Sequence, residues 1–342
     1  MNIVFSGGGT AGHVVPNIAL AEILCQKHKC HYVGTDGMEH KLIAPLVGKT
    51  FVEFHKIDAC KFQRKLSFSN LKLPFALAKS VAQCKKVLTR LAPCVVFCKG
   101  GYVSLPVAIA SKQLKQPLIV HESDTSIGLA NKICFSFADL NLTAFPQKKG
   151  VTVGAILKND LKNGDRQKGL KLMNFDGKKP ILLVLGGSLG SVALNNALCN
   201  CPDLAKTFDV FVICGKGKRV DCNFHQTEYC FDMPSLYACC TVAVCRGGAN
   251  TLCELTEMQI PFVCVPLEKS SRGEQLDNAK LFCQQKGCGI LLRESSLDFD
   301  LQNETHTLLK NLDWYKQNQK KFCVNGTNTV VKLIEQTISK YQ

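Results

Sequence analysis

The sequence predicts an α/β protein made of two similar domains, each with a parallel sheet covered by helices, and three observations carry that expectation. Short β-branched or leucine-rich runs alternate with helical patterns along the chain, the rhythm of parallel strands buried on both faces. Glycine-rich turns follow several of these runs. A strand, a glycine-rich turn and a helix start also occur twice, as IVFSGGGTAGH at 3–13 and LLVLGGSLGS at 182–191. At 342 residues the chain exceeds the size at which one core usually keeps growing, so the repeat reads as two domains.

Strands are expected at 2–5 (NIVF), 94–97 (CVVF), 117–120 (PLIV), 181–185 (ILLVL), 210–214 (VFVIC), 242–245 (VAVC) and 261–265 (PFVCV). A helix over 17–25 follows Pro16, a residue suited to a first helical turn. The polar, glycine-containing stretch 158–179 reads as loops at a domain junction, which sets the domains at 1–160 and 161–324. Val330, Val331, Leu333, Ile334 and Ile338 have helical spacing, so residues from about 325 to 342 form a helix suited to packing back on either domain, and they are assigned with the first.

The composition, 46% apolar and 20% charged, excludes disorder and coiled coil. Lys and Arg exceed Asp and Glu by 42 − 27 = 15, which favours anionic partners: phosphate-bearing substrates, nucleic acid or an acidic membrane surface. The 20 cysteines lie irregularly inside apolar runs, without CxxC or HExxH, so buried reduced thiols are expected and no metal centre. MNIVF is too short for a signal segment and no stretch is long enough to span a membrane, so the chain is expected to be cytoplasmic or peripheral.

Four glycine-rich turns end predicted strands: GGGTAGH (7–13), KGGYVS (99–104), GGSLGS (186–191) and RGGANT (246–251). Glycine lets backbone N–H groups and a helix amino terminus approach phosphate, so four such turns point to a phosphate-bearing ligand. None spells GxxxxGK[ST], which disfavours a Walker-type NTPase. Asp36 sits roughly where a dinucleotide enzyme has its ribose acid, but GGGTAG departs from GxGxxG. His13 ends the first turn and is a candidate general base, with a capping or packing histidine as the alternative. In HESDTSIGLANK (121–132) a polar group with Glu122 and Asp124 ends a strand, and Ser123 or Asp124 is also suited to capping the helix that follows. Glu254, in a helix beginning near Asn250, suits a ribose diol, while Arg272, Glu274, Gln275 and Asn278 suit sugar hydroxyls. Asp298 and Asp300 form a DxD in what reads as an exposed loop or N-cap, where a metal is not expected. Residues 56–79 interleave cations with apolar groups, a pattern shared by anionic-membrane docking segments and by core helices with solvated lysines.

Seven motifs, SGGGTAGHVVP, KGGYVSLP, HESDTSIGLANK, VGAILKNDL, LGGSLGS, CRGGANTLCEL and SRGEQLDNA, stand in the order of the MurG family, and the chain resembles that family over nearly its whole length, in a Firmicutes-like form. The resemblance implies a glycosyltransferase B fold, two Rossmann-like domains facing across a cleft. It implies inverting transfer of GlcNAc from UDP-GlcNAc to the MurNAc 4-hydroxyl of lipid I, undecaprenyl-diphosphoryl-MurNAc-pentapeptide, in peptidoglycan synthesis, with no metal or cofactor. By the same resemblance Thr10, Ala11, Gly12, Asp124, Lys158, Ser188, Cys230, Ala249, Asn250, Thr251, Leu252, Cys253, Glu254, Glu274 and Gln275 serve the donor. Gly8, Gly9, Gly100, Gly101, Tyr102 and Ser104 serve the acceptor and its diphosphate, and His13 or Glu122 assists deprotonation. Lys61, Phe62, Arg64, Lys65, Phe68 and Phe75 form the membrane patch, placing the protein peripherally on the cytoplasmic face of the bacterial membrane, with cell-wall or division proteins as further partners and no nucleic acid. Two other functions compete: a UDP-GlcNAc 2-epimerase, which has no need of a lipid-docking patch, and a nucleic-acid-binding protein, for which no recognition motif is present.

Overall fold

The computed structural model describes residues 1–59, 73–187, 190–268 and 273–341. The chain divides into two units, Met1–Lys158 with Gly326–Gln342, and Asn159–Asn325.

The first unit runs β1 (Asn2–Gly7), α1 (Ala11–Leu24), β2 (Lys29–Gly34), α2 (Met38–Ile43), β3 (Glu53–Lys56), α3 (Leu73–Leu91), β4 (Cys94–Gly100), α4 (Ser104–Gln113), β5 (Leu118–Glu122), α5 (Leu129–Phe137), β6 (Leu140–Thr143) and β7 (Val151–Thr152). Among the described residues these strands form one parallel sheet in the order β3-β2-β1-β4-β5-β6-β7. Every residue of β4 and β5 is buried, as expected of strands covered on both faces. One core layer gathers Ile3, Phe5, Leu20, Phe97 and Ile119, and the other Val4, Val33, Val96, Val107 and Val120.

In the second unit α6 (Arg166–Met173), β8 (Ile181–Leu185), α7 (Val192–Cys199), α8 (Leu204–Thr207), β9 (Asp209–Ile213), β10 (His225–Thr227), α9 (Met233–Cys239), β11 (Val242–Cys245), α10 (Ala249–Glu257), β12 (Phe262–Cys264), α11 (Glu274–Ala279), β13 (Gly289–Leu291), α12 (Leu297–Lys310) and α13 (Leu312–Lys321) follow in order. Its parallel sheet has the order β10-β9-β8-β11-β12-β13. The last helix, α14 (Thr327–Lys340), returns to the first unit, where Val330, Ile334 and Ile338 join Ile3 and Leu20 in the core.

In each sheet the strand order reverses direction at a central pair, β1 with β4 and β8 with β11. In open parallel sheets ligands bind outside the carboxyl ends of the strands at that reversal. The four glycine turns identified in the sequence follow these four strands.

Several local expectations need correction. The first helix begins at Ala11, so Pro16 lies inside it, and without an N–H it cannot bond the Gly12 carbonyl one turn earlier. The stretch read as loops contains α6, capped by Asp165, whose carboxylate accepts from the amides of Gln167 and Lys168, and closed by Asn174 in the left-handed conformation. Within α6, Gly169 is a packing residue: a Cβ there would lie 2.1 Å from the Ser235 carbonyl oxygen. Asp298 and Asp300 occupy the first turn of α12, where carboxylates complement the helix dipole, rather than a loop. Asp36 forms an ion pair with Lys56.

Candidate active site

At the first reversal the two glycine turns interlock. The Gly8 amide donates to the Gly100 carbonyl at 3.3 Å. A Cβ on Gly101, whose φ is +79°, would fall 2.2 Å from the Gly8 carbonyl oxygen and 3.1 Å from His13 Nδ1, so only glycine fits. Ser104 is buried, accepts from the Gly100 amide at 3.1 Å and lies 3.2 Å from the Ser6 carbonyl, so it shapes the turn rather than offering its hydroxyl to a ligand. Tyr102 and Gly9 sit together at the rim, a Cβ on Gly9 lying 3.1 Å from the Tyr102 ring.

His13, in the first turn of α1, is half-buried, with Nδ1 3.0 Å from the Gly8 carbonyl oxygen and 3.2 Å from Thr10 Oγ1. A carbonyl has no proton to give, so Nδ1 carries the hydrogen and the lone pair lies on Nε2. That tautomer suits a base that takes a proton at Nε2.

Glu122 is in a different situation. It is 4% exposed, and its carboxylate accepts the amides of Ser123 (2.8 Å), Asp124 (3.0 Å) and Gly128 (2.9 Å) and the side-chain amide of Asn131 (3.0 Å). These four donors occupy the carboxylate and hold the 123–128 loop, so Glu122 serves as a scaffold for that loop. Neither Ser123 nor Asp124 caps the next helix: α5 starts at Leu129, with Gly128 at its N-cap. Beneath the loop Lys99, with no exposure, donates to the Ser123 hydroxyl. Lys158, at the end of the first unit, keeps its ammonium 4.0 Å from Glu22.

At the second reversal the partners are different. Ser191 caps α7, its Oγ accepting the Leu194 amide at 3.3 Å, and Arg246 Nε donates to the same Oγ at 3.0 Å. Arg246 also reaches the Val265 carbonyl at 3.1 Å and pairs with Glu294 at 3.2 Å, which ties the ends of β11 and β12 to the turn after β8. Ala249, Asn250 and Thr251 open α10, where amide N–H groups face outward from the helix start. Leu252 and Cys253 are wholly buried, so their side chains belong to the core and not to a ligand surface.

Glu254 is half-buried, and its Oε2 accepts the Tyr237 hydroxyl at 2.8 Å. Burial, then the Glu254 carboxylate, push the Tyr237 phenol well above its ordinary range, so it stays a donor. Gln275 Oε1 accepts the Leu267 amide at 3.0 Å, and Asn278 donates to the Gly247 carbonyl at 3.0 Å, bringing α11 against the turn after β11. Glu274 starts α11. Cys230 is half-buried between Tyr229 and Phe231, an edge-on aromatic pair with Phe231 88% exposed. Ser188, Arg272 and the patch residues Lys61, Phe62, Arg64, Lys65 and Phe68 lie outside the described residues, while Phe75 on α3 is 81% exposed.

Sequence reasoning missed Glu39, Tyr237, Arg246 and Glu294, none of which stands out by spacing. It also missed His31, Glu53 and His55, the one grouping of metal-type donors among the described residues. There the Arg90 guanidinium donates to His55 Nδ1 at 3.0 Å and pairs with Glu53 at 3.1 Å, so a cation already faces these groups.

Two parallel-sheet units, each with paired glycine turns at its reversal, have the architecture of the glycosyltransferase B fold. Residues 3–142 match the glycosyltransferase family 28 N-terminal domain, and residues 181–337 match the family's C-terminal domain. A Geobacillus thermodenitrificans protein named UDP-N-acetylglucosamine--N-acetylmuramyl-(pentapeptide) pyrophosphoryl-undecaprenol N-acetylglucosamine transferase is 37% identical over 98% of both chains. The Lachnoclostridium phytofermentans protein of the same name is 39% identical over 94% of this chain and 92% of its own. Acinetobacter baumannii MurG, at 23% identity, has the same fold with a TM-score of 0.75 over 98% of this chain and 99% of that one. The chain belongs to glycosyltransferase family 28 and, within it, to the MurG family.

Proposed function

We propose that this protein transfers GlcNAc from UDP-GlcNAc to the MurNAc 4-hydroxyl of undecaprenyl-diphosphoryl-MurNAc-pentapeptide. The observation that carries the reading is chemical complementarity at the two reversals: an oriented base, His13, beside glycine turns at one, and a carboxylate, Glu254, in the second turn of α10 at the other. His13 Nε2 takes the hydroxyl proton as the acceptor oxygen attacks the anomeric carbon. The bond to the UDP oxygen breaks with inversion, and the electron pair leaves on the diphosphate. The helix amino termini of α7 and α10 stabilise that charge, and Glu254 holds the ribose with one oxygen fixed by Tyr237. Glu122 keeps the 123–128 loop in shape, which makes His13 the sole base in this reading.

The proposal extends to an anionic membrane surface as partner and to a peripheral position on it. Among the described residues no helix is long and apolar enough to cross a membrane. Phe75 is presented outward at the start of α3, while Lys56 and Lys79, the outer cations of the 56–79 segment, pair with Asp36 and Asp58. We assign headgroup contact to Lys61, Arg64 and Lys65, which lie outside the described residues. Transfer of radiolabelled GlcNAc from its UDP donor to a lipid I analogue tests the reading. Absence of product together with epimerisation of the donor would replace it with the isomerase alternative.

A further inference from the structure

We infer that Glu39 is a positioning residue for His13, acting through the peptide bond between Gly8 and Gly9. This deepens the proposed function and rests on His13 being the base.

Glu39 lies on α2, beyond the carboxyl end of β2, and has no solvent exposure. Its Oε2 accepts the Gly9 amide at 3.2 Å, while Oε1 accepts the Thr35 amide at 3.0 Å and the Thr35 hydroxyl. The Gly9 N–H and the Gly8 C=O are the two ends of one planar peptide group. The carbonyl end accepts His13 Nδ1–H at 3.0 Å. A carboxylate, a peptide and an imidazole therefore stand in line, each bonded to the next. The packing requires it: a Cβ on Gly8 would lie 2.7 Å from Glu39 Cδ, so glycine admits the carboxylate at this point.

An amide whose N–H is bound to a carboxylate is polarised, and its carbonyl oxygen becomes a better acceptor, since hydrogen bonds in series polarise one another. The Gly8 carbonyl thereby holds the Nδ1–H tautomer and favours the imidazolium once Nε2 has taken the substrate proton. No proton passes through the peptide: the hydroxyl proton stops at Nε2 and the Nδ1 proton stays on its bond to Gly8. A buried carboxylate bonded directly to a catalytic imidazole does the same work in other enzymes, with the carboxylate itself remaining ionised. Here the Gly8–Gly9 peptide stands between the two.

The test is a double-mutant cycle of Glu39→Gln with His13→Ala, read by GlcNAc transfer. Glu39→Gln in the wild-type background should lower kcat by about tenfold with little change in donor KM, a loss confined to the transition state. The acid limb of its kcat/KM profile should move to lower pH, because a lost negative charge no longer favours the imidazolium. In the His13→Ala background the same change should cost nothing further. An equal loss in both backgrounds overturns the inference. Nitrogen NMR of the labelled protein, with the His13 signals assigned by their loss in His13→Ala, supplies a readout independent of turnover. An unchanged His13 tautomer and titration midpoint in Glu39→Gln also overturns it. Wild-type turnover by His13→Ala would instead sink the assignment of the base, and the NMR result would still judge Glu39. Should Glu39→Gln melt without cooperativity, Glu39→Asp takes its place in the cycle, with a smaller loss that also vanishes without His13.

Discussion

At the scale of single residues, the geometry separates groups that the motifs left equivalent. His13 follows β1 in the first turn of α1 and Glu122 ends β5, but one has a fixed lone pair and the other four donors on its carboxylate. His13→Ala should lower kcat by roughly 10²- to 10⁴-fold, the scale of general-base loss, and leave UDP affinity nearly intact. Steady-state kinetics beside UDP calorimetry reads both, and wild-type turnover of the purified variant would refute the role. Glu254 is expected to behave differently, because a carboxylate bridging a ribose diol contacts the ground state and the transition state alike. Glu254→Ala should raise the donor KM more than it lowers kcat. Tyr237→Phe, which removes the hydroxyl donor to that carboxylate, should do the same to a smaller degree, and unchanged UDP affinity in both would end the ribose assignment.

Among the elements, β2 and β3 carry a pH dependence that no motif announced. His31 and His55 stack with ring centroids 5.3 Å apart, and His55 Nε2 lies 3.2 Å from His31 Nδ1. Burial pushes both imidazoles down, His55 to about 4, with Glu53 opposing the shift and Arg90 adding to it. A base whose folded pKa lies below its unfolded value of about 6.5 binds protons more readily unfolded, so folding is weakened by acid. Stability from this pair is full above about pH 6.5 and is lost as pH falls toward about 4. Thermal melting should drop across that window, and His55→Gln, neutral throughout, should flatten the drop by at least about 2–4 °C, the worth of 1 kcal/mol at this domain size. Parallel slopes for the two proteins would remove the pair from the explanation. In the second unit, α6 shows why elements hide in sequence: Gly164 and Gly177 at its flanks read as loop signals, and only the Ser235 carbonyl beside Gly169 shows a helix packed closely against α9.

For the whole molecule, the net charge of +15 fits an anionic partner, and the basic, apolar stretch around 61–75 is where we expect it to meet a membrane. Each cation near a charged surface is worth about 1 kcal/mol and is screened by salt. Reversing Lys61, Arg64 and Lys65 to Glu should release the protein from phosphatidylglycerol vesicles and slow transfer to a long-chain acceptor. A short-chain, soluble acceptor should be used nearly as well as before, since no residue of the proposed chemistry is touched. Co-sedimentation at low and high salt, run beside both transfer assays, checks this; unchanged sedimentation would return the segment to solvated helix.

The sequence by itself determined the class of fold, the family and the position of the four glycine turns, because each depends on local signals. Apolar runs mark buried strands, glycines mark turns without Cβ atoms, and motif order marks descent. Only the tertiary structure decided that those turns follow the central strand pair of each sheet, since strand order is a matter of pairing between segments as far apart as β1 and β4. It also decided which polar residues act together. Glu39 and His13, linked through the Gly8–Gly9 peptide, are 26 positions apart, and Tyr237 and Glu254, bonded directly, are 17 apart. Their bonds form because a parallel sheet brings the carboxyl ends of its strands to one edge, where side chains from separate loops and helices converge.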